Sequence, residues 1–202
     1  MKRRLVFIAL AAVLGLAVTG AASAKWFNVI RGTKSADVIN GTENRDFILG
    51  FAGDDQISAA GANDVVLAGR GNDSADGGAG FDRLRGGPGD DTLSAGDDGG
   101  ILWGGYGNDT LNAGNSGRNV LHGGRGNDTV NGGSGRDKLF GGFGVDTLSG
   151  GDGNDVLHSL APDGQVDLLD CGPGDHDVAW VRSDEHDNVV NCEVVKTVTV
   201  SS

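Results

Sequence analysis

Aspartate recurs through the middle of this chain at a spacing of nine residues: Asp37, Asp46, Asp55, Asp64, Asp73, Asp82, Asp91, Asp109, Asp128, Asp137, Asp146 and Asp155. Gly100 and Asn119 take the two remaining places, and one inserted residue, most simply Ala113, shifts the later copies. Glycines precede each aspartate, most often at positions 1, 2 and 4 of the nine. A glycine-rich turn exposes main-chain carbonyls without side-chain obstruction, and the aspartate adds charge at its end. Such a set consists of hard oxygen ligands. It suits calcium, which takes six to eight oxygens at roughly 2.3–2.6 Å, better than magnesium, which demands a tighter octahedron and keeps its waters. Zinc wants histidine or cysteine, which the repeats hardly contain.

Two positions after each aspartate place stands an aliphatic residue: Ile39, Ile48, Ile57, Val66, Ala75, Leu84, Leu93, Leu102, Leu111, Leu121, Val130, Leu139, Leu148 and Leu157. Only Ala75 is small. Regularity on this scale makes repeat architecture the first reading. Positions 7 to 9 form a very short strand, with position 8 pointing inward and positions 7 and 9 outward. Two repeats make one coil with a strand on each side. The fourteen repeats of residues 32–158 therefore predict an all-β parallel β-roll of about seven two-strand coils. Its core is one thin aliphatic layer per sheet. Glycines lose the most entropy on folding, and carboxylates stacked at strand spacing repel. The array is expected to fold poorly until several cations sit between them.

The copies Gly77-Gly78-Ala79-Gly80-Phe81-Asp82-Arg83-Leu84-Arg85 and Gly123-Gly124-Arg125-Gly126-Asn127-Asp128-Thr129-Val130-Asn131 resemble the hemolysin-type calcium-binding repeat, or repeat-in-toxin (RTX), family. Seven copies carry every glycine and the aspartate, those ending in Asp82, Asp91, Asp109, Asp128, Asp137, Asp146 and Asp155. The resemblance implies a parallel β-roll with Ca2+ in its turns and the sixth-position aspartates as ligands, which carries over onto the twelve aspartates named above. The first two repeats have Thr33, Ser35, Thr42 and Asn44 where the pattern has glycine.

Alternate repeats share an edge. The odd column, Asp37, Asp55, Asp73, Asp91, Asp109, Asp128 and Asp146, is unbroken. The even column, Asp46, Asp64, Asp82, Gly100, Asn119, Asp137 and Asp155, has a gap in its middle, so the odd edge is expected to hold the fuller column of ions. The outward faces differ as well. The odd strands carry Thr, Asn and Ser, whereas the even ones carry Leu49, Leu67, Arg85, Trp103, His122, Phe140 and His158 at position 9. An apolar face of that kind packs against something: the chain's own C-terminal segment, or a protein partner or second copy through Leu49, Leu67, Trp103 and Phe140. An adhesion or matrix module is thus the alternative function, and ice or ordered-surface binding by the flat Thr/Asn/Ser face a lesser one.

The ends complete the plan. Residues 1–24 combine a basic start, an apolar run and Ala22-Ser23-Ala24, the pattern of a cleavable signal peptide, so the mature protein is expected to be secreted and without a membrane span. Residues 25–31 form a cap strand. Residues 159–202 lose the period and are expected to form a small β cap stapled by a Cys171–Cys192 disulfide, since a secreted chain with one cysteine pair oxidises it. His176, Asp177, Asp184, His186 and Asp187 read as a solvated acidic turn. A net charge of −12 argues against nucleic acid as a partner. No nucleophile or zincin motif appears, which predicts a non-enzyme.

Overall fold

A computed structural model describes residues 4–5, 27–115 and 117–199. Among them there is no helix, and hence none long and apolar enough to cross a membrane. The chain winds into a parallel β-solenoid of two ten-stranded sheets. The even sheet takes Asn28–Arg31, Asp46–Ala52, Val65–Arg70, Asp82–Pro88, Gly100–Tyr106, Val120–Arg125, Lys138–Phe143, Val156–Ser159, Val178–Arg182 and Val194–Val198. The odd sheet begins with Arg4–Leu5, paired beside Asp37–Thr42. It continues through Gln56–Ala60, Ser74–Asp76, Thr92–Ser94, Thr110–Asn112, Thr129–Asn131, Thr147–Ser149, Leu168–Asp170 and Asn188–Val190. Apart from Arg4–Leu5, the expected signal sequence lies outside the described residues.

Register holds the repeat in phase. Leu84 pairs with Leu102, Leu102 with Leu121, and Leu121 with Leu139. Position 8 therefore stacks into one internal column per sheet, from Ile39 to Leu157, every member buried. Burying such a side chain contributes about 1.5–3 kcal/mol. Because neighbouring coils supply the burial, no repeat is stable alone.

The turns explain the glycines. In the repeat ending in Asp109, Gly105 has φ 127° and Gly107 φ 122°, values that L side chains rarely adopt. Phe51, Ala60 and Ala62 occupy the equivalent left-handed positions at φ 78°, 77° and 71°, at a cost of about 1–2 kcal/mol each.

Two expectations change. The roll has about nine coils because residues beyond 158 keep winding: Leu168–Asp170, Val178–Arg182, Asn188–Val190 and Val194–Val198 extend both sheets. Loops of altered length hide this from a nine-residue count, but Leu169 and Ala179 still fill the core. The Cys171–Cys192 disulfide is present and ties two of these last turns. The segment extends the roll and does not fold back over the even face. Second, Ala113 is not the inserted residue. It is buried at position 1, its N–H donating to Asn131 O as Ala95 N–H does to Asn112 O. The extra residue falls in the following turn, between Gly114 and Arg118.

Candidate functional site

The twelve predicted aspartates are all buried, on two columns that run along the two edges of the roll. One oxygen of each has a structural task. Along the odd column the N–H of Asp55 donates to Asp73 Oδ1, that of Asp73 to Asp91 Oδ1, and that of Asp91 to Asp109 Oδ1, each over 2.8 Å. The series runs on through Asp128, Asp146 and Asp167. The even column repeats it from Asp46 to Asp64 and from Asp64 to Asp82, both at 2.7 Å. There it weakens. Gly100 has no side chain, and Asp82 N–H is left with Gly99 O at 3.4 Å. Gly100 N–H resumes the series with Asn119 Oδ1 at 2.8 Å. Asn119 Nδ2 also donates to Asp137 Oδ1 at 3.0 Å, a neutral contact standing where a charged rung would be.

The second oxygen is different. Oδ2 of Asp55, Asp64, Asp73, Asp82, Asp91, Asp109, Asp128, Asp137, Asp146 and Asp155 is buried without a hydrogen-bond partner. An orphaned anionic oxygen costs several kcal/mol unless something cationic meets it or it is protonated. Burial accordingly pushes these carboxyls up from the usual range: to about 7 for Asp82, Asp91, Asp128 and Asp146, and to about 6 for Asp55, Asp64, Asp73, Asp109, Asp137 and Asp155. The hydrogen bonds to Oδ1 oppose the shift without cancelling it.

The surroundings of Oδ2 are oxygen-rich. A methyl added to Gly104 would strike Asp109 Oδ2 and the Gly123 carbonyl, and one added to Gly123 would strike Asp128 Oδ2 and the Gly141 carbonyl. The position-1 glycines thus let a carboxylate and a carbonyl of the next coil lie close against the main chain. Among the described residues no group of three or more His, Cys, Asp or Glu side chains forms a metal cage. With one carboxylate per turn, most ligands here have to be main-chain carbonyls. That donor set fits calcium in kind.

Four repeats carry a methyl group at position 1 instead: Ala59, Ala68, Ala95 and Ala113, all buried. Ala95 and Ala113 belong to the two repeats without a carboxylate, Gly100 and Asn119. The even-edge gap therefore lacks both the carboxylate and the position-1 glycine.

The end rungs satisfy themselves. Asp37 Oδ2 accepts from Thr33 N–H at 2.5 Å, and Asp46 Oδ2 from Thr42 N–H at 2.6 Å and the Thr42 hydroxyl at 3.1 Å. The threonines that break the repeat pattern thus meet the second oxygen at the N-terminal end. Four column members escape the nine-residue spacing: Asp167 and Asp187 on the odd edge, Asp177 and Glu193 on the even edge. Their signal is the acid–x–aliphatic triplet, as in Asp167-Leu168-Leu169 and Asp177-Val178-Ala179. Asp177 is fully buried with Oδ2 unpartnered, which corrects its reading as part of a solvated turn. Asp184 is exposed and pairs with Arg182 at 2.8 Å.

Position 5 adds a second set of stitches. Asp54, Asn72, Asp90 and Asn108 accept from main-chain N–H groups one coil further on, at 2.7–3.0 Å. These run opposite to the aspartate bonds, so each odd turn is clamped from both sides.

A parallel roll with buried carboxylate columns at its glycine turns is a tandem-repeat β-roll. A model of the RTX calcium-binding nonapeptide repeat matches residues 31–66, 67–102, 101–116, 113–148 and 132–161. The chain belongs to that family. No curated protein matches it.

Proposed function

We propose that this protein is a secreted, non-catalytic calcium-binding β-roll whose folding is coupled to ion binding in its glycine turns. The supporting observation is the row of ten sixth-position carboxylates that each keep one buried oxygen without a partner. Asp55, Asp91, Asp109, Asp128 and Asp146 serve the odd edge, and Asp82, Asp137 and Asp155 the even edge, while Asp73 and Asp64, whose repeats begin with Ala68 and Ala59, contribute less. Asp37 and Asp46 contribute least, because threonine already meets their second oxygen. Bound calcium supplies positive charge and fills the remaining oxygen coordination. The chain's part is to hold Oδ1 in the ladder, aim Oδ2 and the carbonyls into one space, and exclude water. Ligand that binds only the folded state adds its binding free energy to folding. Circular dichroism and calcium calorimetry test this. A β signal that appears with calcium and vanishes with a chelator is expected. An unchanged signal after rigorous calcium removal, with no binding heat, overturns it.

A second reading, an adhesion module, rests on the even face. Its outward positions carry Arg31, Arg83, Arg85, Lys138 and Lys196 among rings and aliphatics, and no carboxylate, in a chain of net charge −12. Loss of self-association or partner capture in the Trp103→Ser/Phe140→Ser double variant supports it, and no change in either removes it.

A further inference from the structure

Five rings stack along position 9 of the even sheet. Trp103 and His122 have centroids 6.2 Å apart, His122 and Phe140 4.3 Å, Phe140 and His158 4.4 Å, and His158 and Trp180 6.1 Å, with planes within 9° of parallel. Each inner ring has both faces covered. Trp180 is closed by Lys196, whose Nζ lies 4.6 Å from its ring centre. Trp103 ends the stack differently. Its neighbour on the other side is Arg85, yet among the described residues no ring or cation lies over that face, and Trp103 is 37% exposed.

Trp103 lines a cleft of about 460 Å³ with Val65, Leu67, Arg83, Arg85 and His122. The volume is in the range of small-molecule sites, about 300–1,000 Å³. Arg83 stands over Phe81 at 5.6 Å, and neither arginine pairs with a carboxylate among the described residues. Two arginines therefore line one cleft with apolar walls, on a face without acids of its own.

We propose that this cleft binds a planar aromatic carboxylate, its ring stacked on Trp103 as the next rung of the ladder and its carboxylate held by Arg85 and Arg83. The rung spacing along the sheet, about 4.8 Å, admits a ring once the flexible Arg85 side chain turns outward toward the anion. Guanidinium matches carboxylate with two parallel hydrogen bonds, and a stacked ring gains from the Trp103 face. The walls argue against a sugar. Val65, Leu67 and Trp103 offer no partners for a ring of hydroxyls, and buried unpaired hydroxyls cost affinity. The cleft also borders the turn glycines Gly105, Gly123 and Gly124, so calcium is held at one saturating concentration throughout the test.

The test is a titration of the whole protein, in calcium-containing buffer, with 2-naphthoate and with neutral 2-naphthamide, read by tryptophan fluorescence and calorimetry. Saturable 2-naphthoate binding with a dissociation constant below about 1 mM is expected. It should weaken about tenfold or more in Arg83→Gln/Arg85→Gln and for the amide, the scale of a charge-assisted bond. Trp103→Leu should lose binding as well. Circular dichroism confirms that each variant keeps the roll, which is expected because all three side chains point outward. Absence of saturation, equal binding of acid and amide, equal affinity in the double arginine variant, or full binding by Trp103→Leu each overturns the proposal.

Discussion

The main-chain N–H of Asp91 donates to Asp109 Oδ1 over 2.8 Å, while Asp109 Oδ2 is buried with no partner. The two oxygens of one carboxylate thus differ in role, one tying coils together and one left unpartnered. Substitution can separate them. Asp109→Asn keeps an acceptor for the Asp91 N–H and removes the charge, as Asn119 does for Gly100. It should fold at high calcium with reduced calorimetric stoichiometry. Asp109→Ala also orphans the N–H, and should lose a further 1–3 kcal/mol or so. A calcium titration followed by thermal melts of both variants checks the order.

The same carboxyls make the calcium-free fold sensitive to pH. Asp82, Asp91, Asp128 and Asp146 rise to about 7 and their neighbours to about 6, chiefly through burial. A folded-state value above the unfolded one means that the folded chain binds more protons. Stability is then fullest below the unfolded value of about 4 and is lost as pH rises through 6 to 7. In metal-stripped buffer the β signal, lost at pH 8, should be partly recovered at pH 5 and melt there. Calcium competes with these protons, so its affinity should rise over the same interval, with protons released on binding. Melts at the two pH values and calorimetry in buffers of different ionisation heat measure both effects.

The central rungs were legible because every coil there is eighteen residues, or nineteen across the one insertion, and the residue that must be buried is large and apolar. Parity alone exposed the even-edge gap at Gly100 and Asn119. What stayed hidden depended on spatial neighbours. Asp167 lies 21 residues beyond Asp146 and Asp177 lies 22 beyond Asp155, yet each receives the expected hydrogen bond. The solenoid constrains where strands stack and leaves loop length free, so a count by nines stops before the roll does. The Ala113 misplacement has the same origin: a turn absorbs an extra residue more easily than a core position does. The ring ladder joins Trp180 to a column whose other rings precede the lost period.

The C-terminal end of the odd column is closed by a hydroxyl. Ser159 occupies the position-1 place that glycine or alanine holds elsewhere, and its Oγ lies 2.6 Å from Asp167 Oδ2 and 2.8 Å from Asp187 Oδ2. One hydroxyl proton serves one of these oxygens at a time. Ser159→Ala fits sterically, as Ala59, Ala68, Ala95 and Ala113 show, but it leaves a buried carboxylate unmet. A loss of about 1–3 kcal/mol is expected. Hydrogen exchange should show the fraying confined to strands Leu168–Asp170 and Asn188–Val190. Unchanged protection there would deny the hydroxyl this role.

Two adjacent glycines separate ion binding from turn formation. Gly104 has no left-handed conformation to maintain, and a methyl there would press into the space between Asp109 Oδ2 and the Gly123 carbonyl. Gly105 has φ 127°, and its methyl would strike the Gly87 carbonyl of the previous coil. Gly104→Ala should therefore reach the folded β signal at saturating calcium but need more calcium to do so, with fewer ions bound, since four natural alanines occupy that position. Gly105→Ala should lose about 1–2 kcal/mol from the left-handed backbone, and more from the clash, whatever the calcium concentration. Calcium titrations monitored by circular dichroism distinguish them: a shifted midpoint with a full plateau for the first, a reduced plateau for the second. If the two curves coincide, the position-1 glycine does not shape the ion's ligands.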